Sequence, residues 1–430
     1  MYAIINAKTY DFKTYKEHQY ILFNQNIIEV GNMASYENNN YKEIDANNQL
    51  VMPGLVNGHS HIYSTFSRGL SVPFNPKNFI ELLEQLWWKL DRNLTNETTY
   101  YSGIVSGVEY LKNGVTTLID HHASGEIKGS LDQLKQSICE DTMLRGIFCF
   151  ETSDRFDIEE CIKENTDFIS NNKSNTSRGL FGMHAAFTLS DTSLERIHTK
   201  NKNPIHIHVA ESKMDQDFSL ENHQMRVIER LDKHHLITPN SIITHGIYLS
   251  DNELEIIKRN KAVIALNITS NMNNAVGIPD YFKMKKKGIK SIIGNDGIAM
   301  NMTSEYKALF YAMHHISKSP TEFNFSDLLE IINNTYSYAS DILETKLGKI
   351  EKGYASDLLI IPYTNPTPLN SENIFGHLFF GLFNDFKPSD VFVNGNHILN
   401  NYKASPKLMK KYNDSNKYAQ KLWKKIQKEG

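Results

Sequence analysis

Pro53-Gly54-Leu55-Val56-Asn57-Gly58-His59-Ser60-His61 places an apolar run directly before two histidines that are one residue apart. Alternate residues of an extended strand point to the same face, so both imidazoles can converge on one ion above the strand's carboxyl end. Taken alone, the pair is equally compatible with two unrelated loop histidines. The surrounding chain supplies the context. Between about residues 50 and 315 a short, β-branched apolar run recurs, followed each time by a longer stretch with helical spacing of apolar residues. The runs are 55–57, 116–120, 146–151, 180–185, 205–210, 242–245, 263–267 and 291–294, with helical stretches that include 79–90, 131–144, 224–236, 251–259 and 304–316. Repeated βα units of this kind predict an α/β protein with a (β/α)8, TIM-like barrel. An open doubly wound sheet is the alternative.

The two ends of the 430-residue chain read differently. Residues 1–51 suggest short strands with turns near 24–26 and 38–40, and residues 353–396 suggest more strands. Neither end is long enough to bury a core alone. The expected organisation is therefore a small β-sandwich domain built from both termini (1–52 and 346–400), a barrel over 53–345, and a Lys-rich surface helix over 401–430.

The bulk composition excludes several classes. A 40% hydrophobic, 22% charged chain without a run of about 18 apolar residues predicts neither a membrane span nor a secretory leader. Cys139, Cys149 and Cys161 form no CxxC pair and cannot build a disulfide framework, which suits a reducing cytoplasm. A net charge of −3 offers no broad basic field for a nucleic acid.

Three further strand ends carry chemistry. His206-Ile207-His208-Val209-Ala210-Glu211 puts a carboxylate three residues after a histidine, as hydrolysis by a metal and a separate proton carrier requires. His206 shares the face of His208 one layer deeper, the place of a hydrogen-bonded core histidine. Thr244-His245-Gly246 and Gly294-Asn295-Asp296-Gly297 each end an apolar run in one polar side chain beside glycine. Singly these read as caps or turns. Together they place polar groups at the ends of strands one, five, six and eight, where barrels carry their sites. Asp296 could complete a set of three histidines and one aspartate, with His245 hydrogen-bonded to a water.

These residues give the chain its resemblance to the amidohydrolase superfamily, in the branch of aminohydrolases and deaminases with one metal. PGLVNGHSH, HIHVAE, ITHG, NITSNMNN and GNDG carry the likeness in the barrel, and KLGKIEKGYASDLLII with VFVNG carries it in the returning strands. Within that branch, IDHHAS, LWWKLD, CFETSDR and SNMNN are similar to the aminohydrolase group called SsnA, associated with selenium and purine metabolism.

The resemblance implies that His59, His61, His208 and Asp296 bind one divalent ion, zinc first and iron second. It implies Glu211 as the proton shuttle to a ring nitrogen, His245 and Asp296 as acceptors of the water proton, and His184 and Arg155 as substrate-binding residues. Arg68 and His121 lie beside shared motifs without a defined role. Strand four holds no lysine that could bridge two metals, so a single-metal site is expected. Residues 214–224 are acidic and polar, with His223 embedded, where many deaminases carry a glycine-containing substrate loop. The implied reaction is deamination of a purine-like nitrogen heterocycle by metal-bound hydroxide, with a homo-oligomer and a small-molecule substrate as the expected partners. Cyclic amide hydrolysis, dechlorination, or a catalytically silent metabolite- or partner-binding subunit are the alternatives.

Overall fold

The computed structural model describes residues 1–429. Its strands run in chain order as β1 (Tyr2–Tyr10), β2 (Tyr15–Phe23), β3 (Ile27–Asn32), β4 (Lys42–Asp45) and β5 (Leu50–Pro53) at the N-terminal end. The next nine are β6 (Leu55–Ser60), β7 (Val115–His122), β8 (Arg145–Phe150), β9 (Ser177–Gly179), β10 (Phe181–Ala185), β11 (Ile205–Val209), β12 (Ile242–His245), β13 (Val263–Leu266) and β14 (Ser291–Ile293). Three more, β15 (Leu358–Ile361), β16 (Asp390–Val393) and β17 (Asn396–Leu399), return to the first sheet.

β6 through β14 pair in parallel, in the orders β6-β7-β8-β9 and β10-β11-β12-β13-β14. β9 and β10 are two pieces of one strand, interrupted at Leu180, so the barrel has the eight staves the sequence predicts. Parallel bridges close it at both seams, Thr152 to Met183 and Ser60 to Asp296. Every residue of β6, β7 and β8 is buried, which explains why these strands read as continuous apolar runs rather than as alternating ones. The seam between β6 and β14 is tight. A Cβ on Gly294 would lie 2.5 Å from the backbone nitrogen of His59, and one on Gly58 would lie 2.7 Å from the Ile293 carbonyl oxygen. Glycine at both positions lets the strand that carries the first two histidines close against the strand that leads to Asp296.

The terminal strands form one sheet in the order β17-β16-β15-β5-β1-β2-β3, with β4 beside β1. The expected short strands at the N-terminus are longer than anticipated, since β1 and β2 span 9 residues each. Phe23 on β2 and Phe392 on β16 have ring centroids 5.3 Å apart, although three strands separate theirs in the sheet. At about 4.8 Å per strand a flat sheet would hold them far apart, so the sheet curls onto itself. Ile4, Ile21, Val51, Leu358 and Phe392 fill the resulting core. A buried ion pair joins this sheet to the barrel: Arg145 Nε and Nη2 donate to Asp357 at 2.7 and 2.9 Å.

The C-terminal helix Pro406–Glu429 departs from a simple surface helix. Its Leu408 packs with Ile104 and Val108 of the helix Asn96–Lys112, and its Leu422 and Ile426 pack with Tyr63, Phe66 and Leu90. Trp423 Nε1 donates to the Phe66 carbonyl at 2.6 Å, which fixes the loop that follows His61. No helix among the described residues is long and apolar enough to cross a membrane.

Candidate active site

The carboxyl ends of β6, β11, β12 and β14 bring His59, His61, His208, His245 and Asp296 together. Ligand atoms of His59, His61 and His208 lie within 4.8 Å of one another, as do those of His59, His245 and Asp296. Asp296 Oδ1 is 3.5 Å from His59 Nε2 and 3.1 Å from His61 Nε2, and His61 Nε2 is 3.1 Å from His208 Nε2. His245 and Asp296 adopt the left-handed backbone region, at φ 70° and 57°. Such conformations are costly outside glycine and concentrate where a side chain must be aimed.

The outer nitrogen of each ring shows what the inner one can do. His61 Nδ1–H donates to the His121 carbonyl at 2.6 Å, and His208 Nδ1–H donates to the His184 carbonyl at 2.9 Å. His59 Nδ1 is 2.8 Å from His206 Nε2, and His206 Nδ1 lies 3.6 Å from the Cys149 thiol. With the Nδ1 protons engaged outward, the neutral rings turn Nε2 lone pairs toward a common point beside a carboxylate. His59 Nε2 is buried with no hydrogen-bond partner. Converging lone pairs repel unless a cation sits among them, so the donor set fits a divalent metal.

The charge balance agrees. Burial holds the His59 imidazole down at about 4. Burial also disfavours charge on His61, but its hydrogen bond to Asp296 and the attraction of Asp296, Asp120 and Glu151 together outweigh this and push it up to about 9. Burial alone would raise Asp296, yet the neighbouring imidazoles of His59, His61 and His245 hold its carboxyl well below the usual range. A bound metal would supply the positive charge that a proton on His61 otherwise brings to the cluster.

The run Ser270-Asn271-Met272-Asn273-Asn274 turns out to aim the chemistry. Ser270 Oγ donates to Asp296 Oδ2 at 2.5 Å, Asn271 Oδ1 accepts from His245 Nδ1 at 2.8 Å, and Asn274 Nδ2 donates to Glu211 Oε1 at 3.3 Å. One short helical segment therefore orients all three groups expected to move protons. His245 Nε2 faces Glu211 Oε2 at 3.4 Å and Asp296 Oδ2 at 3.9 Å. Burial raises Glu211 above the ordinary carboxylate range, with His245 opposing that shift. A protonated Glu211 can thus face the lone pair of His245.

These groups open onto a single cavity at the barrel mouth. His184 lines it, with its Nδ1 2.9 Å from Thr188 Oγ1. Arg155 is not among the lining residues. Its Nη2 bonds both oxygens of Asp91 at 2.8 Å, its Nη1 bonds Glu151 at 2.8 Å, and its guanidinium lies 4.5 Å from the Trp88 ring centre. Arg155 thus holds lining residues in place. Arg68 is more than half exposed and pairs with Glu109 at 2.8 Å, away from the cavity. His121 is buried beside the histidine cluster and bonds the Met183 carbonyl at 2.9 Å. Residues 213–223 form a helix, Lys213–His223, whose Asp215 accepts from the Ala210 N–H at 2.7 Å and lines the cavity.

Residue-by-residue reading of the sequence gave no role to Trp87, Trp88, Asp91, Glu151, Ser270 or Asn274, which all line the cavity. The available signal was the clustering of aromatic and acidic side chains in LWWKLD and CFETSDR, which pattern alone could not join to one site.

Similar proteins place the site in context. Over 409 residues, 92% of this chain and 91% of the other, the chain is 28% identical to a 5'-deoxyadenosine deaminase of Methanobrevibacter smithii. It is 27% identical over 350 residues, 78% of each chain, to a 5-methylthioadenosine/S-adenosylhomocysteine deaminase of Carboxydothermus hydrogenoformans. Its fold matches a zinc-bound adenosine deaminase from Xanthomonas campestris (TM-score 0.83, 17% identity, 97% of this chain and 98% of that one). It also matches the zinc complex of atrazine chlorohydrolase TrzN from Arthrobacter aurescens (TM-score 0.81, 18% identity, 97% and 100%). The Amidohydrolase family pattern spans residues 50–398, and with the metal-binding geometry at the barrel mouth this shows that the chain belongs to the amidohydrolase family.

Proposed function

We propose that this protein hydrolytically deaminates the adenine ring of a nucleoside, with 5′-deoxyadenosine and its 5′-substituted analogues as the first candidates. The chain is a metal-dependent hydrolase of C–N bonds. The observation that carries the substrate reading is the placement of a proton donor, Glu211, beside the histidine–aspartate cluster in one cavity, in a chain alignable with adenosine-type deaminases over most of its length.

His59, His61, His208 and Asp296 would hold one divalent ion, zinc before iron, which when bound acidifies water and stabilises developing negative charge. His245 and Asp296 accept the water proton. Glu211 delivers a proton to the ring nitrogen next to the carbon under attack, and the amino group leaves as ammonia with the abstracted proton. Trp87, Trp88, Phe79 and Leu82 supply apolar walls for a planar heterocycle. His184 faces the same space. LWWKLD, CFETSDR and SNMNN all contribute to this cavity, which supports the narrower likeness to the SsnA group. Residues 1–52 with 346–400 as the β-domain, 53–345 as the barrel and 401–430 with its C-terminal helix are the corresponding division of the chain. Ammonia release from a panel of adenine, guanine and pyrimidine nucleosides and free bases tests the reading: turnover confined to substrates other than adenine nucleosides would refute it.

A further inference from the structure

The cavity takes a distinctive stance on charge. Asp91, Glu151, Glu211, Asp215 and Asp296 line it, and among the described residues no lysine or arginine does. The nearest guanidinium, Arg155, is consumed. Both Asp91 oxygens hold its Nη2, Glu151 holds its Nη1, and Trp88 and Phe156 cover its faces at 4.5 and 5.0 Å. His184 cannot replace it, because its Nδ1 is engaged with Thr188 and burial keeps the ring neutral. Burial also pushes Glu151 up to about 8, despite Arg155. The Arg155 guanidinium is shared between the Asp91 and Glu151 carboxyl groups and leaves no free cation facing the cavity. A phosphate or carboxylate on the substrate's non-reacting end would lose its water here and meet carboxyl groups and aromatic rings, with no cation in return.

From this arrangement we infer that the site selects adenine nucleosides whose 5′ position is uncharged and rejects those that carry an anionic 5′ group. The inference rests on the proposed adenine nucleoside reading. Locked by its two carboxylates, Arg155 acts as a specificity-determining residue by being unavailable to an anion.

The test compares kcat/KM for 5′-deoxyadenosine, adenosine and adenosine 5′-monophosphate, together with the binding of all three to metal-loaded protein by calorimetry. The monophosphate is expected to fall at least about 10²-fold below 5′-deoxyadenosine, with adenosine close to the latter. Asp91→Asn leaves the guanidinium charge uncompensated and should narrow the ratio of 5′-deoxyadenosine to monophosphate by about 10-fold, whereas Glu151→Gln, which replaces a carboxyl already largely protonated at neutral pH, should change it far less. Because each ratio is taken within one variant, a general loss of folding or of activity cancels. Equal handling of the monophosphate by the wild-type protein overturns the inference and leaves deamination standing. An unchanged ratio in Asp91→Asn overturns the role of the cluster. If none of the three binds, the adenine nucleoside reading falls and takes the inference with it.

Discussion

Glu211 and His208 stand three residues apart on one strand end yet answer to different chemistry. The Glu211 carboxyl faces His245 and Asn274, whereas His208 turns Nε2 into the histidine cluster. Glu211→Gln keeps size and one acceptor but removes the titratable proton. Turnover should drop by at least about 10²-fold with metal content unchanged, as elemental analysis and steady-state rates on the same preparation would show. His208→Ala should lower both. Much of this was legible in the sequence, because the His59/His61 and His208/Glu211 spacings report directly on strand geometry. The depth of His206 followed from the same periodicity, and its bond to His59 accords with it. Arg155 shows the limit. Its motif was visible, but its pairing with Asp91 spans 64 positions, and no local pattern encodes which distant carboxylate claims a guanidinium.

At the level of elements, the seam between β6 and β14 is where backbone packing and chemistry meet. Gly294 sits against the backbone of His59, so Gly294→Ala should force the two strands apart. Overpacking of this kind costs about 1–3 kcal/mol. A lower Tm together with weakened metal retention on dialysis is the expected pair of results, and a variant with wild-type values of both would show that the seam tolerates separation. The eight staves were readable because buried parallel strands leave continuous apolar runs. The helix Ile268–Asn273 was not: a six-residue helix gives too few turns to establish a period, so Ser270, Asn271 and Asn274 could be noticed only as a polar motif.

Across the whole molecule, both termini are tied to the barrel. β5 pairs with β15 across roughly 300 residues of sequence, and Asp357 carries the buried bond to Arg145. Removing one partner of such a pair strands a buried charge, so Asp357→Ala should cost about 3–5 kcal/mol in chemical denaturation. Stability within about 1 kcal/mol of wild type would mean that the small sheet docks without it. A chain that begins near Asn48 lacks the strands that complete this sheet and should lose solubility. The curling of the sheet was beyond sequence reading, since contacts such as Phe23 with Phe392 depend on strand order rather than on pattern. All of these features serve one claim, that a metal-loaded barrel mouth removes ammonia from an adenine nucleoside. The most direct measurement is ammonia release from 5′-deoxyadenosine by the full chain, before chelation, after chelation, and after zinc is restored. The account predicts one ammonia per deaminated nucleoside, loss of activity in verified metal-free protein, and recovery with zinc. No ammonia from metal-loaded protein, or undiminished release after the metal is gone, would contradict it.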